Sequence, residues 1–133
     1  AFSSSRKKRN MQKIIQKRIL IIDKFGLLSS LYKYCDVAFI GGGFRGALHN
    51  TLEAAVWDLP IIYGKNNNNK KFNEISHLEN LRIGFPITSG NEFKLLINRI
   101  VKYGDIGSGG NKFILKNSGA TDKIIRETIN LIK

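Results

Sequence analysis

The sequence predicts an α/β fold, a Rossmann-like parallel sheet flanked by helices. Two observations carry that expectation. Apolar runs of strand length alternate along the chain with segments whose apolar residues recur at helical spacing. The stretch from Val37 to Gly64 also holds a full strand, glycine loop, helix and strand, the building block of a parallel sheet.

A basic first helix is expected over Lys8–Lys17, followed by a strand at Ile19–Ile22 and a helix at Leu27–Tyr34. Strand Val37–Ile40 runs into Gly41, Gly42 and Gly43. Helix Thr51–Trp57 follows, with Leu52, Ala55, Val56 and Leu59 spaced as its buried face, and Asp58-Leu59-Pro60 ends it. Ile61–Tyr63 reads as the next strand, and the asparagine run Asn66–Asn69 as a loop. Helix Phe72–Asn80 precedes a short strand near Gly84–Ile87, where Pro86, unable to donate to a ladder, argues for a sheet edge. Asn91 is expected to cap an amphipathic helix from Glu92 to Tyr103, with Phe93, Leu96, Ile97 and Ile100 turned inward. Gly104–Asn111 reads as a flexible link; no strand precedes it and no Lys-Ser/Thr pair follows, so it does not fit a phosphate loop. A last helix, Asp122–Ile132, is expected to close the fold by packing Ile124, Ile125, Ile129 and Ile132.

At 133 residues, 42% of them hydrophobic, the chain has the size and composition of one globular domain. Residues 1–18 are expected to be a basic, partly helical or disordered segment, and 19–133 the domain itself. No apolar run approaches the roughly 18 residues of a membrane span, and no signal peptide is visible. Starting at Ala1, the chain reads as a fragment or excised domain. The single cysteine, Cys35, excludes an internal disulfide and reads as a helix packing position.

Lys and Arg number 22 against 10 acidic residues, a net charge of +12, densest at Arg6-Lys7-Lys8-Arg9 and continuing through Lys13, Lys17 and Arg18. A solvated tail explains the first residues. An anionic membrane surface is the functional partner such charge suits. Nucleic acid is not expected, because zinc spacing, an RNP-like aromatic motif and a recognition helix are all missing from the sequence.

The glycine unit favours anionic ligands. Glycines let a backbone approach a ligand closely, and the first N–H groups of a following helix have no partner within it. Asn50 and Glu53, three residues apart, fit a helix cap, or Glu53 accepts hydrogen bonds from ribose hydroxyls. His49 either bonds within the loop or contacts the ligand. His77 lies on a separate helix, so no metal site is expected, and no cofactor.

GGGF, a short spacer, HNTLEAA and a hydrophobic strand ending in glycine resemble the C-terminal domain of 3-deoxy-D-manno-octulosonic acid (Kdo) transferases. Ile19-Leu20-Ile21-Ile22-Asp23, Gly26 and Leu31–Asp36 match the family's approach to the glycines; Lys70–Glu74 and Asn117–Asp122 resemble its later segments, especially in Bacteroidetes-like members. The resemblance runs from about Ile19 to the C-terminus and is specific in the glycine to HNTLE block. Three features depart from the family. Lys65 follows Gly64 where a proline is usual, the loop from Gly64 to Phe72 is longer, and Arg45 occupies a spacer position that is usually small or variable.

The resemblance implies the C-terminal half of a two-lobed GT-B glycosyltransferase with a CMP-Kdo donor site in this lobe. Gly41, Gly42 and Gly43 would face the donor's phosphate or the sugar carboxylate, with His49 and Asn50 orienting that group. Glu53 would hold the ribose, and Gly26 would lie on the loop approaching cytosine. It also implies that the acceptor, a lipid A precursor, and the general base belong to an N-terminal lobe, so no catalytic residue is expected here. The location implied is the cytoplasmic face of the bacterial inner membrane. Two other readings stay open: a GT-B domain for a UDP- or GDP-linked sugar, and a non-catalytic basic module for nucleic acid or membrane.

Overall fold

The computed structural model of the chain describes residues 18–104 and 106–132. The helix expected over 8–17 lies outside them, as does nearly all of the basic segment. Among the described residues, β1 (Ala38–Ile40), β2 (Ile61–Gly64) and β3 (Gly84–Ile87) form a parallel sheet in the order β1-β2-β3. Ala38 pairs with Ile61, and Ile61 with Gly84. The helices are α1 (Leu28–Leu31), α2 (Leu52–Ala55), α3 (Asn73–Asn80), α4 (Gly90–Tyr103), α5 (Gly110–Asn117) and α6 (Ala120–Leu131). This is an α/β, Rossmann-like architecture.

Parallel strands need both faces covered, and the residue pattern follows. Every residue of central β2 is buried. On one face Ala38, Ile40, Ile61 and Tyr63 pack with Ala54, Ala55, Ile75, Leu78 and Ile83 from the α2 and α3 side. Tyr63 Oη donates to Glu79 Oε1 of α3 at 2.6 Å, and burial, then this bond, raises the phenol's pKa and keeps it protonated. Alternate residues point to the other face, where the Phe39 and Phe93 rings meet edge-on at 5.8 Å and bring α4 against the sheet. Phe93, Leu96, Ile97 and Ile100 are the half-buried face of α4, as its periodicity requires. Pro86 sits on β3, at the sheet edge.

Several expectations need correction. The 19–22 run forms no strand: Ile19, Leu20 and Ile21 are 80%, 63% and 84% exposed. A strand exists only within a ladder, and among the described residues β1 pairs with β2 alone. The helix expected over 27–34 is α1 followed by a 3₁₀ turn, Tyr32–Tyr34. Helix α2 is shorter than its apolar spacing implied, and the chain leaves it through Asp58 at φ 54°. Ser89, not Asn91, caps α4: its side chain accepts from the Glu92 amide at 3.2 Å. The Ser89-Gly90-Asn91-Glu92 spacing is that of a capping box, and Asn91 falls inside the helix.

The link after α4 is pinned. Asp58 Oδ1 accepts from the amides of Gly109 (3.0 Å) and Asn111 (3.2 Å), and Asn111 Nδ2 donates to the Val56 carbonyl. These bonds start α5, a helix the glycine-rich sequence did not announce. Helix α6 forms, but Ile124, Ile125, Ile129 and Ile132 are largely exposed, so they do not close the core. No helix among the described residues is long and apolar enough to cross a membrane.

Glu92 links this architecture to pH. Its carboxylate accepts from the Thr88 hydroxyl and the Thr88 amide, both at 2.7 Å, and these donors hold its pKa below the usual carboxylate value. A lowered folded-state pKa adds stability above the unfolded-state value, and acid removes it as pH falls through the folded one. Glu92→Gln should therefore lower the melting temperature at neutral pH. The gap from wild type should close once acid has protonated Glu92 in both states, which thermal melts across the acid range will test.

Candidate functional site

At the carboxyl end of β1 the chain enters a loop that closes on its own backbone. The amides of Arg45 and Ala47 donate to the Gly42 carbonyl, that of Gly46 to Gly43, and that of His49 to Gly41, each at 3.1 Å. Gly42 has φ +80°, and a Cβ there would strike the Ala47 carbonyl, so only glycine fits. Gly43 meets a different constraint: its Cβ would lie 2.5 Å from Gly64 O and 2.7 Å from Gly64 N. The glycine loop and the end of β2 therefore touch backbone to backbone, with the Phe44 side chain against Gly64.

The asparagine run locks this contact. It is a 3₁₀ helix, Asn67–Lys71, not the loop its composition implied. Asn66 caps it by accepting from the Asn68 amide at 2.9 Å, while its Nδ2 donates to the Phe44 carbonyl at 3.0 Å. Asn69 is buried and donates through Nδ2 to Gly64 O at 2.7 Å and Gly43 O at 3.3 Å. Its Oδ1 is buried without a partner.

The loop then delivers His49, Asn50 and Glu53. The His49 ring lies beside Gly41 and Gly42, 3.9 Å from where a Gly41 Cβ would stand. Asn50 Oδ1 accepts from the Leu52 amide at 2.9 Å, and its Nδ2 donates to Glu53 Oε1 at 3.1 Å. The N-cap of α2 is Thr51, without a side-chain cap bond, so Asn50 is not the expected cap; it instead takes the first helical amide, Leu52, one of those that sequence spacing had left for an anion. Glu53 Oε2 accepts from Ser29 Oγ at 2.7 Å, and Trp57 Nε1 donates to the Ser29 carbonyl at 2.9 Å. These two bonds dock α1 on α2. Tyr32 stands nearby; burial first, then the Glu53 charge, raises its pKa and keeps the phenol neutral.

His49 beside Gly41 and Gly42, and Asn50 bonded to Glu53, bring these residues together at the end of β1, while Gly43 is buried against Gly64. Gly26 is not part of that contact set. It sits in a left-handed turn before α1, with nothing within 4 Å of where a Cβ would stand. Sequence reasoning missed Ser29, Asn66 and Asn69, whose partners lie 24, 22 and 26 residues away. His77 stacks on Phe113 with ring centroids 4.9 Å apart, in a separate region of α3.

The Gly43 to Gly64 contact leaves no room for a methyl group. Gly43→Ala should cost about 3 kcal/mol, the upper end of overpacking losses, and lower the urea midpoint. A midpoint equal to wild type would show that the two backbones can part freely.

No family model matches the chain. It is 35% identical over 79 residues to the 3-deoxy-D-manno-octulosonic acid transferase of Aquifex aeolicus, an overlap of 56% of this chain and 21% of that protein. The enzyme of the same name from Rickettsia felis is 36% identical over 62 residues, 47% of this chain and 13% of that one. A bifunctional glycosyltransferase/methyltransferase of Fusobacterium nucleatum is 29% identical over 118 residues, 88% of this chain and 18% of the relative. The chain thus spans about a fifth or less of the length of these relatives. By sequence similarity its relatives are glycosyltransferases, several of them named Kdo transferases, and its parallel α/β fold is consistent with a Rossmann-like domain of a GT-B enzyme.

Proposed function

We propose that the chain is the C-terminal, donor-binding lobe of a Bacteroidetes-like Kdo transferase, moving Kdo from CMP-Kdo to a lipid A precursor (lipid IVA) in lipopolysaccharide core synthesis. The observation that carries this reading is the closed glycine loop Gly41-Gly42-Gly43 at the carboxyl end of β1, with His49 beside it and Asn50 bonded to Glu53 just beyond. Parallel α/β sheets bind ligands beyond that end of their strands, and the similarity to Kdo transferases supports the choice of ligand.

Each residue takes a role its chemistry suits. Glu53 accepts from Ser29 Oγ and Asn50 Nδ2 and has lone pairs left for ribose hydroxyls. The loop's own turn bonds are donated by Arg45, Gly46, Ala47 and His49; the amides of Gly42 and Gly43, with the His49 ring, receive the phosphate or the sugar carboxylate. Gly26 marks the loop that approaches cytosine. When the bond from the anomeric carbon to the phosphate oxygen breaks, charge develops on CMP, and donors already in place stabilise it without reorganising. An acceptor hydroxyl attacks with the help of a general base from the N-terminal lobe. This lobe alone binds the nucleotide sugar weakly and does not turn it over. The net charge of +12 suits a peripheral position at the anionic cytoplasmic face of the inner membrane.

A second reading, a UDP- or GDP-sugar donor, draws on the Fusobacterium nucleatum relative, which matches 88% of the chain under a broader name. Titrating the isotope-labelled chain with CMP, UMP, GMP and AMP at moderate salt separates the two. CMP should shift the amides of Gly41, Gly42, Gly43, Asn50 and Glu53 selectively, and Glu53→Gln should weaken it about tenfold, the worth of roughly one charge-assisted hydrogen bond. Preference for UMP or GMP at the same amides would select the second reading. Equal, salt-sensitive shifts with all four nucleotides would reject both.

A further inference from the structure

We infer that Asn69 is a positioning residue for nucleotide binding, its buried carboxamide setting the shape in which the glycine loop meets the donor. The inference rests on the donor-site reading above. Two carbonyls, Gly43 O from the loop and Gly64 O from the end of β2, converge on Asn69 Nδ2. A primary amide carries two N–H donors, one for each. The side chain has no alternative orientation, because a flipped amide would turn Oδ1 toward two acceptors. It keeps this pose although Oδ1 is buried without a partner, an arrangement that disfavours itself unless the two carbonyls must be held.

What is held is direction. A trans peptide is planar, so fixing the Gly43 carbonyl also fixes the Phe44 N–H of the same unit. The Gly64 carbonyl shows the effect: with that oxygen on Asn69, the Lys65 N–H of the same peptide donates to Ile87 O at 2.7 Å. Asn66 Nδ2 holds the next loop carbonyl, Phe44 O. Two successive peptide planes, those carrying the Phe44 and Arg45 amides, are thus set by one asparagine turn; the Gly42 and Gly43 amides proposed for the anion directly precede them, so their direction depends on where these planes hold Gly43. Asn69 acts through Gly43 and touches no ligand.

The test compares Asn69→Ala and Asn69→Asp with wild type in the full 133-residue chain, reading CMP affinity and amide exchange of the loop. Both variants should unfold cooperatively, bind CMP about tenfold or more weakly at neutral pH, and exchange the loop amides faster. Asn69→Asp has a further signature. Its ionised carboxylate opposes both carbonyls, whereas the protonated acid donates to one, so its CMP affinity should recover toward wild type in acid. Asn69→Ala should not recover. Lys65 and Glu79 line the cavity flanking Asn69, Tyr63 bonds Glu79 there, and His49 sits on the loop; comparison with wild type at each pH cancels their titration. CMP affinity within twofold of wild type in Asn69→Ala, with unchanged loop exchange, would overturn the inference. Should wild type not bind CMP, the donor reading fails, and the exchange rates still decide whether Asn69 sets the loop. Should the variants not fold, the wild-type Asn69 side-chain amide signals decide: they should shift together with Gly43 as CMP saturates, and stationary signals would overturn the proposal.

Discussion

The backbone contact between Gly43 and Gly64 organises this molecule. It fixes the distance between the loop leaving β1 and the end of β2, and it exists only because neither residue carries a Cβ. Around it the other pieces fall into order. Asn69 satisfies the carbonyls on both sides of the contact, Asn66 takes the next one, and the loop closes on itself so that His49 and Asn50 emerge at the start of α2. A close approach of two backbones leaves polar groups short of water, and buried carbonyls need donors; the asparagine turn supplies them.

A second layer of order comes from helix docking. Ser29 ties α1 to Glu53 of α2, and Trp57, in the turn after α2, donates back to the Ser29 carbonyl. Asp58 does the same for the far side by holding the first amides of α5. In each case a side chain meets a backbone or carboxylate group near an element end, where helices leave groups unpaired. Apolar surface is distributed less evenly. The core face of the sheet is filled, while Phe39 is half-exposed and the isoleucines of α6 face outward. The helix periodicity of α6 is sound, but periodicity states only that a face exists, and the contact that buries it is a separate matter.

The parts of the fold legible in the sequence are those governed by local pattern. Strands β1, β2 and β3 and helices α3 and α4 follow from apolar runs and spacing, and Pro86 at the edge follows from its missing N–H. The pairing of Asn50 with Glu53 was also readable, because three residues on a helix start are neighbours by geometry. Two elements misled for opposite reasons. The 19–22 run has strand composition and no ladder, whereas the asparagine run has loop composition and a 3₁₀ helix held by carbonyls from elsewhere.

The sequence by itself determined the succession of the three strands and of helices α3 and α4, the glycine positions and the residue types of the candidate site, since these depend on periodicity, backbone sterics and neighbours within a turn. Only the tertiary structure decided that Ser29 reaches Glu53, that Asn69 spans Gly43 and Gly64, and that Gly26 stands apart. The bonds from Ser29 to Glu53 and from Asn69 to Gly43 join residues 24 and 26 positions apart, and the space around Gly26 is set by the surrounding packing. Such pairs are set by how elements pack, and no local propensity encodes them.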